Sequence, residues 1–371
     1  MISSGNTLIS QYKFWVLFPH LETTDPNLRH YYDFSQSLAE YTKVFNELQA
    51  DWCWQPVTMN NYKEVVFSIA SSSNGIMPLI VNLCDGDEVN GPPGISVIHE
   101  LDKYNLIYTG SDAHYYQITT SKIPMKKAFD KAGVATANWG LVNGSERSYR
   151  GLCKKLGTPL IIKPAVSGGS MGLSVKNVVS NSADMMDRVK ELKSGYHGWN
   201  LLADGLFAEQ FIKGPEFTTF IVGSSDNPEG CIIYEPVERI FHKSLPDEEK
   251  ILSFDRLWEI YENETPMPGN ENFYEYFLPD ADIIGKLKQL TLDAYCAVGG
   301  KGYGRLDIRM DSQTGNLYML EVNAQCGLSE DEDYTSIGAI LRVSGKSFTQ
   351  LVLEVIEEAI ARRFHQQKVS S

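Results

Sequence analysis

Residues 303–327 read YGRLDIRMDSQTGNLYMLEVNAQCG, and this stretch decides the fold. In RLDIRMD, Arg305, Asp307, Arg309 and Asp311 alternate with Leu306, Ile308 and Met310, the period of two that marks a strand with one apolar face. By the same rule Met319, Glu321 and Asn323 share one face of NLYMLEVNA, and the connecting SQTGN supplies turn residues, including Gly315. A turn centred on Thr314 sets Asp307 opposite Glu321 and Arg305 opposite Asn323. Like charges opposed on a sheet repel. A hard cation such as Mg²⁺ removes that penalty, because it takes carboxylate and amide oxygens and fills its octahedral shell with phosphate oxygens and water. Taken alone, the face reads as a solvated one in which Arg305 and Arg309 neutralise the acids. The neighbouring motifs reverse that reading.

Upstream, Lys163 ends the apolar run Leu160 to Lys163 and is followed by Pro164 and the loop Ser167-Gly168-Gly169-Ser170-Met171-Gly172. Successive glycines let backbone N–H groups approach phosphate oxygens, and the lysine adds a point charge. The spacing is not that of a Walker loop. Glu209 and Glu216 flank the turn Lys213-Gly214-Pro215. A carboxylate there can accept both hydroxyls of a ribose diol, and the strand FAEQFI offers backbone groups to an adenine edge; taken alone, the pair reads as two exposed strand glutamates. TTSKIPMKKAFDKAGV, with Pro124 in its first turn and Gly133 as its stop, predicts a short amphipathic helix.

YKFWVLFP (12–19) and PLIVNLC (78–84) read as buried strands alternating with helical spacing, an α/β layer over roughly the first 115 residues. Three domains are expected, at 1–118, 119–206 and 207–371. Residues 245–282 read as a long polar loop. The chain has 371 residues and a net charge of −14; eleven acids and two bases fall in 245–282, and four more acids at 330–333. Such acidity argues against nucleic acid and anionic membrane surfaces as partners. Six cysteines without a paired framework suit a reducing, cytoplasmic location, and no apolar run reaches the length of a membrane span.

Taken in order, VNLCDGD, LIYTGSD, SKIPMKKAFDKAGV, TPLIIKPAVSGGSMG, AEQFIKGPEFT, GRLDIRMD and EVNAQCG resemble the ATP-grasp enzymes, and among them the D-alanine–D-alanine ligase family of carboxylate–amine ligases. The resemblance implies a three-domain ATP-grasp fold of class α/β: a Rossmann-like N-terminal domain, then two α+β subdomains sandwiching ATP. It implies that Lys122 and Lys163 hold the ATP phosphates under a lid of Gly168, Gly169, Ser170, Met171 and Gly172. Glu209, Gln210, Phe211 and Ile212 match the adenine hinge, and Glu216 the ribose-binding acid. Asp307, Glu321 and Asn323 match the ligands of two Mg²⁺ ions, with Mn²⁺ as an alternative. Arg305 and the Gly327 N–H match the groups that stabilise the tetrahedral intermediate. The implied reaction joins a small carboxylate to an amine through an acyl phosphate, and a homodimer is compatible with it.

The chain departs from the family in its substrate loops. VLFP is followed by HLETTDPNLRHYYD in place of a Gly-Gly-x-Ser-x-Glu turn, so that Glu22, with His20 and Asp25 as alternatives, would hold the first amino group. Only Ser170 remains of two lid serines, and Leu257-Trp258, beside Arg256, stands where the family has Lys-Tyr. After Gly327 the small hydroxyl residue gives way to the acids 330–333, from which a cationic or polar acceptor, and a ligase of specialised metabolism, are expected. A D-alanine–D-alanine ligase and an ATP-grasp kinase are the alternatives.

Overall fold

The computed structural model describes residues 9–24, 29, 32–72, 75–196, 198–262, 264–333 and 335–369. Strands β1 (Tyr12–Pro19), β2 (Trp52–Val57), β3 (Met77–Asn82) and β4 (Ile107–Tyr108) form a parallel sheet in the order β2-β1-β3-β4. Helices Ser35–Glu47, Tyr62–Ser71 and Ile95–Lys103 make the crossovers. Both sheet faces are covered, which is why β1 reads as a nearly continuous apolar run. Phe14 and Val16 pack with Tyr41 and Phe45 on one side, and Leu17 with Val66 and Ile98 on the other.

A second, antiparallel sheet has the order β5-β8-β6-β7, built from β5 (Trp139–Leu141), β6 (Leu160–Pro164), β7 (Val178–Val179) and β8 (Leu206–Gln210). Helices Glu146–Leu156 and Ser182–Ser194 lay Tyr149, Leu156, Met185 and Val189 onto it. The third sheet runs β12-β11-β9-β13-β14, with β10 also paired to β9. Its strands are β9 (Glu216–Ser224), β10 (Ile232–Ile233), β11 (Val237–Phe241), β12 (Tyr274–Phe277), β13 (Lys301–Met310) and β14 (Leu317–Ala324).

Among the described residues the chain folds into three sheets, and elements cross between them. β8 is hydrogen-bonded to β5 and β6, so the chain crosses to the third sheet at residues 211–215, beyond the boundary expected after residue 206. The helix Lys122–Ala132, expected in the middle unit, buries Met125 and Phe129 against Leu306, Ile308 and Met319 of the third sheet. The C-terminal helices Ser336–Ser344 and Phe348–Val369 place Ile337, Ile340, Leu351 and Val355 in one apolar cluster with Phe14 and Leu79 of the first sheet and Phe220 and Val237 of the third. The units are thus interleaved through shared apolar clusters.

Residues 245–282 contain more structure than a loop: a short helix Phe254–Leu257 and strand β12, which pairs with β11. Gln325 joins the first sheet to the end of β14. Its Oε1 accepts from Ser111 N at 2.8 Å and its Nε2 donates to Asn82 O. Gly110 (φ +85°) leaves room for this contact, since a Cβ there would fall 2.0 Å from Gln325 Oε1.

Candidate active site

The hairpin register follows the sequence pattern at its centre: Asp307 pairs with Glu321 and Arg305 with Asn323. Between Asp307 and Ile308 the register then shifts, Ile308 pairing with Met319, so that Leu320 is the extra residue of a β-bulge. The bulge breaks the alternation that would have put Met319 on the face of Glu321. Met319 is fully buried on the opposite face with Leu306, Ile308 and Val322, while Leu320 joins Glu321 in lining a cavity. The expectation that Met319, Glu321 and Asn323 share a face is therefore corrected for Met319, because one inserted residue inverts the parity of a strand.

That cavity gathers residues from all the ATP-related motifs: Lys122, Lys163, Ser170, Glu209 to Ile212, Glu216, Asp307 and Glu321. Ile161, Leu173, Phe211, Ile251, Leu252 and Leu320 add apolar walls, as a heteroaromatic ring requires. Arg305 and Asn323 lie next to it on the same hairpin. Gly168, Gly169, Met171 and Gly172 form the turn beside Ser170, with Gly169, Ser170 and Gly172 at positive φ. Gly327 is exposed in the segment after β14. Glu22 and His20 are exposed in the segment after β1 and do not line the cavity; Asp25 lies outside the described residues.

The cavity's charges are arranged in buried pairs. Lys163 Nζ lies 2.7 Å from Glu209 Oε1, and Lys126 Nζ lies 2.6 Å from Glu209 Oε2. Burial alone would raise the Glu209 pKa and lower that of Lys163. The two lysines overcome it and hold Glu209 below the usual range, while Glu209 and Glu321 leave Lys163 raised. Lys126, deeper still, remains lowered by burial despite Glu209. Lys122 Nζ donates to Ser167 O at 2.6 Å and lies 3.4 Å from Glu321 Oε2, which ties the lid loop to the carboxylate face. Glu216 is clamped between Arg239 and Arg309, the latter at 3.1 Å. Arg239 also donates to Tyr276 OH at 2.9 Å.

The two opposed carboxylates have different environments. Burial raises the Asp307 pKa, Arg305 and Arg239 pull it back, and Glu321 and Glu216 push it up again. Burial would raise Glu321 too, but Lys122, Lys163 and Arg305 bring it down to about 2. The amide nitrogen of Asn323 stands between them, 3.3 Å from Asp307 Oδ2 and 3.4 Å from Glu321 Oε1. A side-chain donor thus stands between the two carboxylates, and turning the amide over would present its oxygen. Among the described residues no three His, Cys, Asp or Glu side chains converge as an ion site. The protein's own donor set is two carboxylates and an amide, hard oxygens that fit Mg²⁺ only if phosphate oxygens and water complete its shell.

Several acids of the two acidic stretches form ion pairs within the chain. Glu330 pairs with Lys43 at 2.8 Å and Glu332 with Arg342. Glu248 pairs with Lys213, Asp247 with Lys250 and Glu249 with Arg256. Buried Glu40 accepts from Ser329 Oγ and Glu330 N, fixing the segment after Gly327 to the first domain. Arg256 is held by Glu249 and Glu264. Trp258 Nε1 donates to Gly169 O at 2.8 Å and Phe254 N to Leu173 O at 2.9 Å, so the long segment and the lid are one layer.

Sequence reasoning missed Lys126, Arg239 and Gln325. Lys126 follows Lys122 by one helical turn and so shares its face, a signal that was available. Arg239 and Gln325 carried none. A second cavity, of about 230 Å³, opens between β4 and the C-terminal helix. Its charged groups are engaged: Arg362 donates to Tyr108 O and Gly110 O, and Asp102 accepts from Tyr108 OH.

Residues 128–357 match the family model described as D-ala D-ala ligase C-terminus. A D-alanine–D-alanine ligase of Xanthomonas axonopodis pv. citri is 27% identical over 284 residues, 76% of this chain and 78% of its own length. That of Idiomarina loihiensis is 26% identical over 268 residues, 71% and 74% of the two chains. Among solved structures, the D-alanine–D-alanine ligase of Bacillus anthracis complexed with ATP superposes with a TM-score of 0.64 at 14% identity, covering 96% and 99% of the chains. The VanG D-Ala:D-Ser ligase of Enterococcus faecalis gives 0.65 at 15% identity, over 95% and 99%. At such identity these structures speak for the fold. No helix among the described residues is long and apolar enough to cross a membrane.

Proposed function

This chain belongs to the family of the D-ala D-ala ligase C-terminus and has the ATP-grasp fold, and from that premise we propose that it is an ATP-dependent carboxylate–amine ligase forming an amide with release of ADP and phosphate. The observation that carries the reading is the convergence on one cavity of Lys122, Lys163, Glu209, Glu216, Asp307 and Glu321, which five separate motifs supply.

In this reading the apolar walls take adenine at the hinge Glu209 to Ile212, and Glu216 accepts the ribose hydroxyls. Lys122 and Lys163 offset the phosphate charge, and the Gly-rich turn closes above it. Mg²⁺ held by Asp307, Glu321 and Asn323 would neutralise the phosphate oxygens. A carboxylate oxygen of the first substrate displaces ADP from the γ-phosphorus, giving an acyl phosphate. Positioning and local cations carry most of that step. The amine then adds to the acyl carbon, phosphate leaves with the C–O bond, and a proton is lost from nitrogen. Arg305 and the Gly327 N–H meet the developing oxyanion, and loss of one such donor costs on the order of 3 kcal/mol of barrier. The lid layer of Gly169 and Trp258 keeps water from the acyl phosphate.

A specific observation favours D-alanine–D-alanine ligation as the second reading. The pairing of Glu330 with Lys43 and Glu332 with Arg342 engages two of the four acids on which a cationic acceptor was expected, and the relatives above carry that activity in their names. A phosphate-release screen over pairs of amino acids and amines, with Lys163→Ala as the blank, tests both. Release that needs a carboxylate and an amine supports a ligase; release with one substrate alone indicates a kinase; and efficient D-Ala–D-Ala formation settles the subtype.

A further inference from the structure

Arg309 is 4% exposed and its guanidinium reaches three separate parts of the nucleotide cavity. Nη1 donates to Ile212 O at 3.2 Å, the last residue of the hinge. Nη2 donates to Lys250 O and lies 3.1 Å from Glu216 Oε2. The group also stands 4.9 Å over the Phe211 ring, and its buried Nε has no hydrogen-bond partner among the described residues. Burying a guanidinium is costly unless its donors are used. A planar fork can serve several acceptors at once, which a lysine cannot.

The contact to Lys250 gives the arrangement a consequence. Ile251 packs with Ile161 and Phe211, and Leu252 lines the same cavity. A few residues on, Phe254 N holds Leu173 O and Trp258 Nε1 holds Gly169 O of the lid. The segment from Lys250 to Trp258 therefore runs from Arg309, on the ribose acid, to the lid over the phosphates. We infer that Arg309 is a positioning residue that aligns this segment and the lid with a nucleotide bound at Glu216, so that the acyl phosphate forms only under a closed layer. The inference rests on the ligase reading above.

Arg309→Met keeps the packing on Phe211 and removes the fork; Arg309→Lys keeps the charge. Two readouts are needed: the ratio of phosphate released to amide formed at saturating substrates, and nucleotide protection of the segment from trypsin at Lys250. In the wild type the ratio is near one and ATP slows cleavage. In Arg309→Met the inference expects KM for ATP to rise about fivefold, protection to be lost, and the ratio to exceed about two. Water then takes the place of the amine: its oxygen adds to the acyl carbon, the C–O bond to phosphate breaks, and carboxylate and phosphate leave without amide. Arg309→Lys should be uncoupled as well, and it decides the matter if the methionine variant does not fold. A ratio near one with protection intact in a folded variant overturns the inference. A wild type that releases phosphate with no substrate pair refutes the ligase reading instead, while the protection readout with ATP alone still decides the role of Arg309.

Discussion

Lys126 Nζ lies 2.6 Å from Glu209 Oε2, and both side chains are 1% exposed. The pair crosses from the helix Lys122–Ala132, packed on the third sheet, to β8 of the second, so it fastens the two walls of the cavity. Lys126 also donates to Thr136 Oγ1 at 2.6 Å.

Removing Lys126 leaves buried Glu209 with Lys163, 2.7 Å from its other carboxylate oxygen, so the loss is partial. Lys126→Met is expected to destabilise the protein by about 2 kcal/mol in urea unfolding. The exposed Lys154→Met should stay within about 0.5 kcal/mol. Equal effects would show that the pair contributes nothing specific.

The opposed carboxylates should respond with opposite signs. Glu321 is held at about 2, below its ordinary 4.5, so its carboxylate stabilises the fold above pH 4.5, and that contribution is lost as pH falls towards 2. Glu321→Gln should therefore cost on the order of 2 kcal/mol at pH 7 in the ligand-free protein. Asp307 is raised, so its charged form is disfavoured in the fold at neutral pH. Asp307→Asn should raise ligand-free stability at pH 7, a gain that fades as pH falls through the raised pKa, while ligation is abolished. Thermal unfolding across pH reads both.

The bulge at Leu320 makes a prediction that strict alternation reverses. Met319 is fully buried in the core, so Met319→Ala should cost about 2–4 kcal/mol of stability with little change in ATP affinity. Leu320→Ala should be mild in stability and weaken ATP binding several-fold, because Leu320 lines the cavity. Titration of ATP against both variants distinguishes the two faces.

Because Glu330 and Glu332 are paired within the chain, Glu330→Gln and Glu332→Gln should change KM for the amine by less than about threefold. A tenfold rise for a cationic amine would mean that these acids hold it.

What the sequence disclosed was what local pattern controls. YKFWVLFP matches β1 from Tyr12 to Pro19, and the turn chemistry of SQTGN with two alternating runs placed Asp307 opposite Glu321. What it hid depends on partners distant in the chain. The bulge is a property of the assembled hairpin, since nothing in MLE announces an extra residue. Arg239 became visible only when β11 settled between Glu216 on β9 and Tyr276 on β12. β12 is four residues long and, among the described residues, pairs only with β11, so its isolated pattern was that of a loop. The ion pairs of Glu248, Glu330 and Glu332 were hidden because their counter-ions, Lys213, Lys43 and Arg342, lie elsewhere in the sequence.

The central claim is that this cavity activates a carboxylate as an acyl phosphate, and oxygen tracing tests it most directly. With a substrate carboxylate labelled by ¹⁸O, turnover should place one labelled oxygen in each phosphate released, at one phosphate and one ADP per amide, and Lys163→Ala should yield neither product. Unlabelled phosphate, AMP in place of ADP, or undiminished turnover by Lys163→Ala would contradict the account.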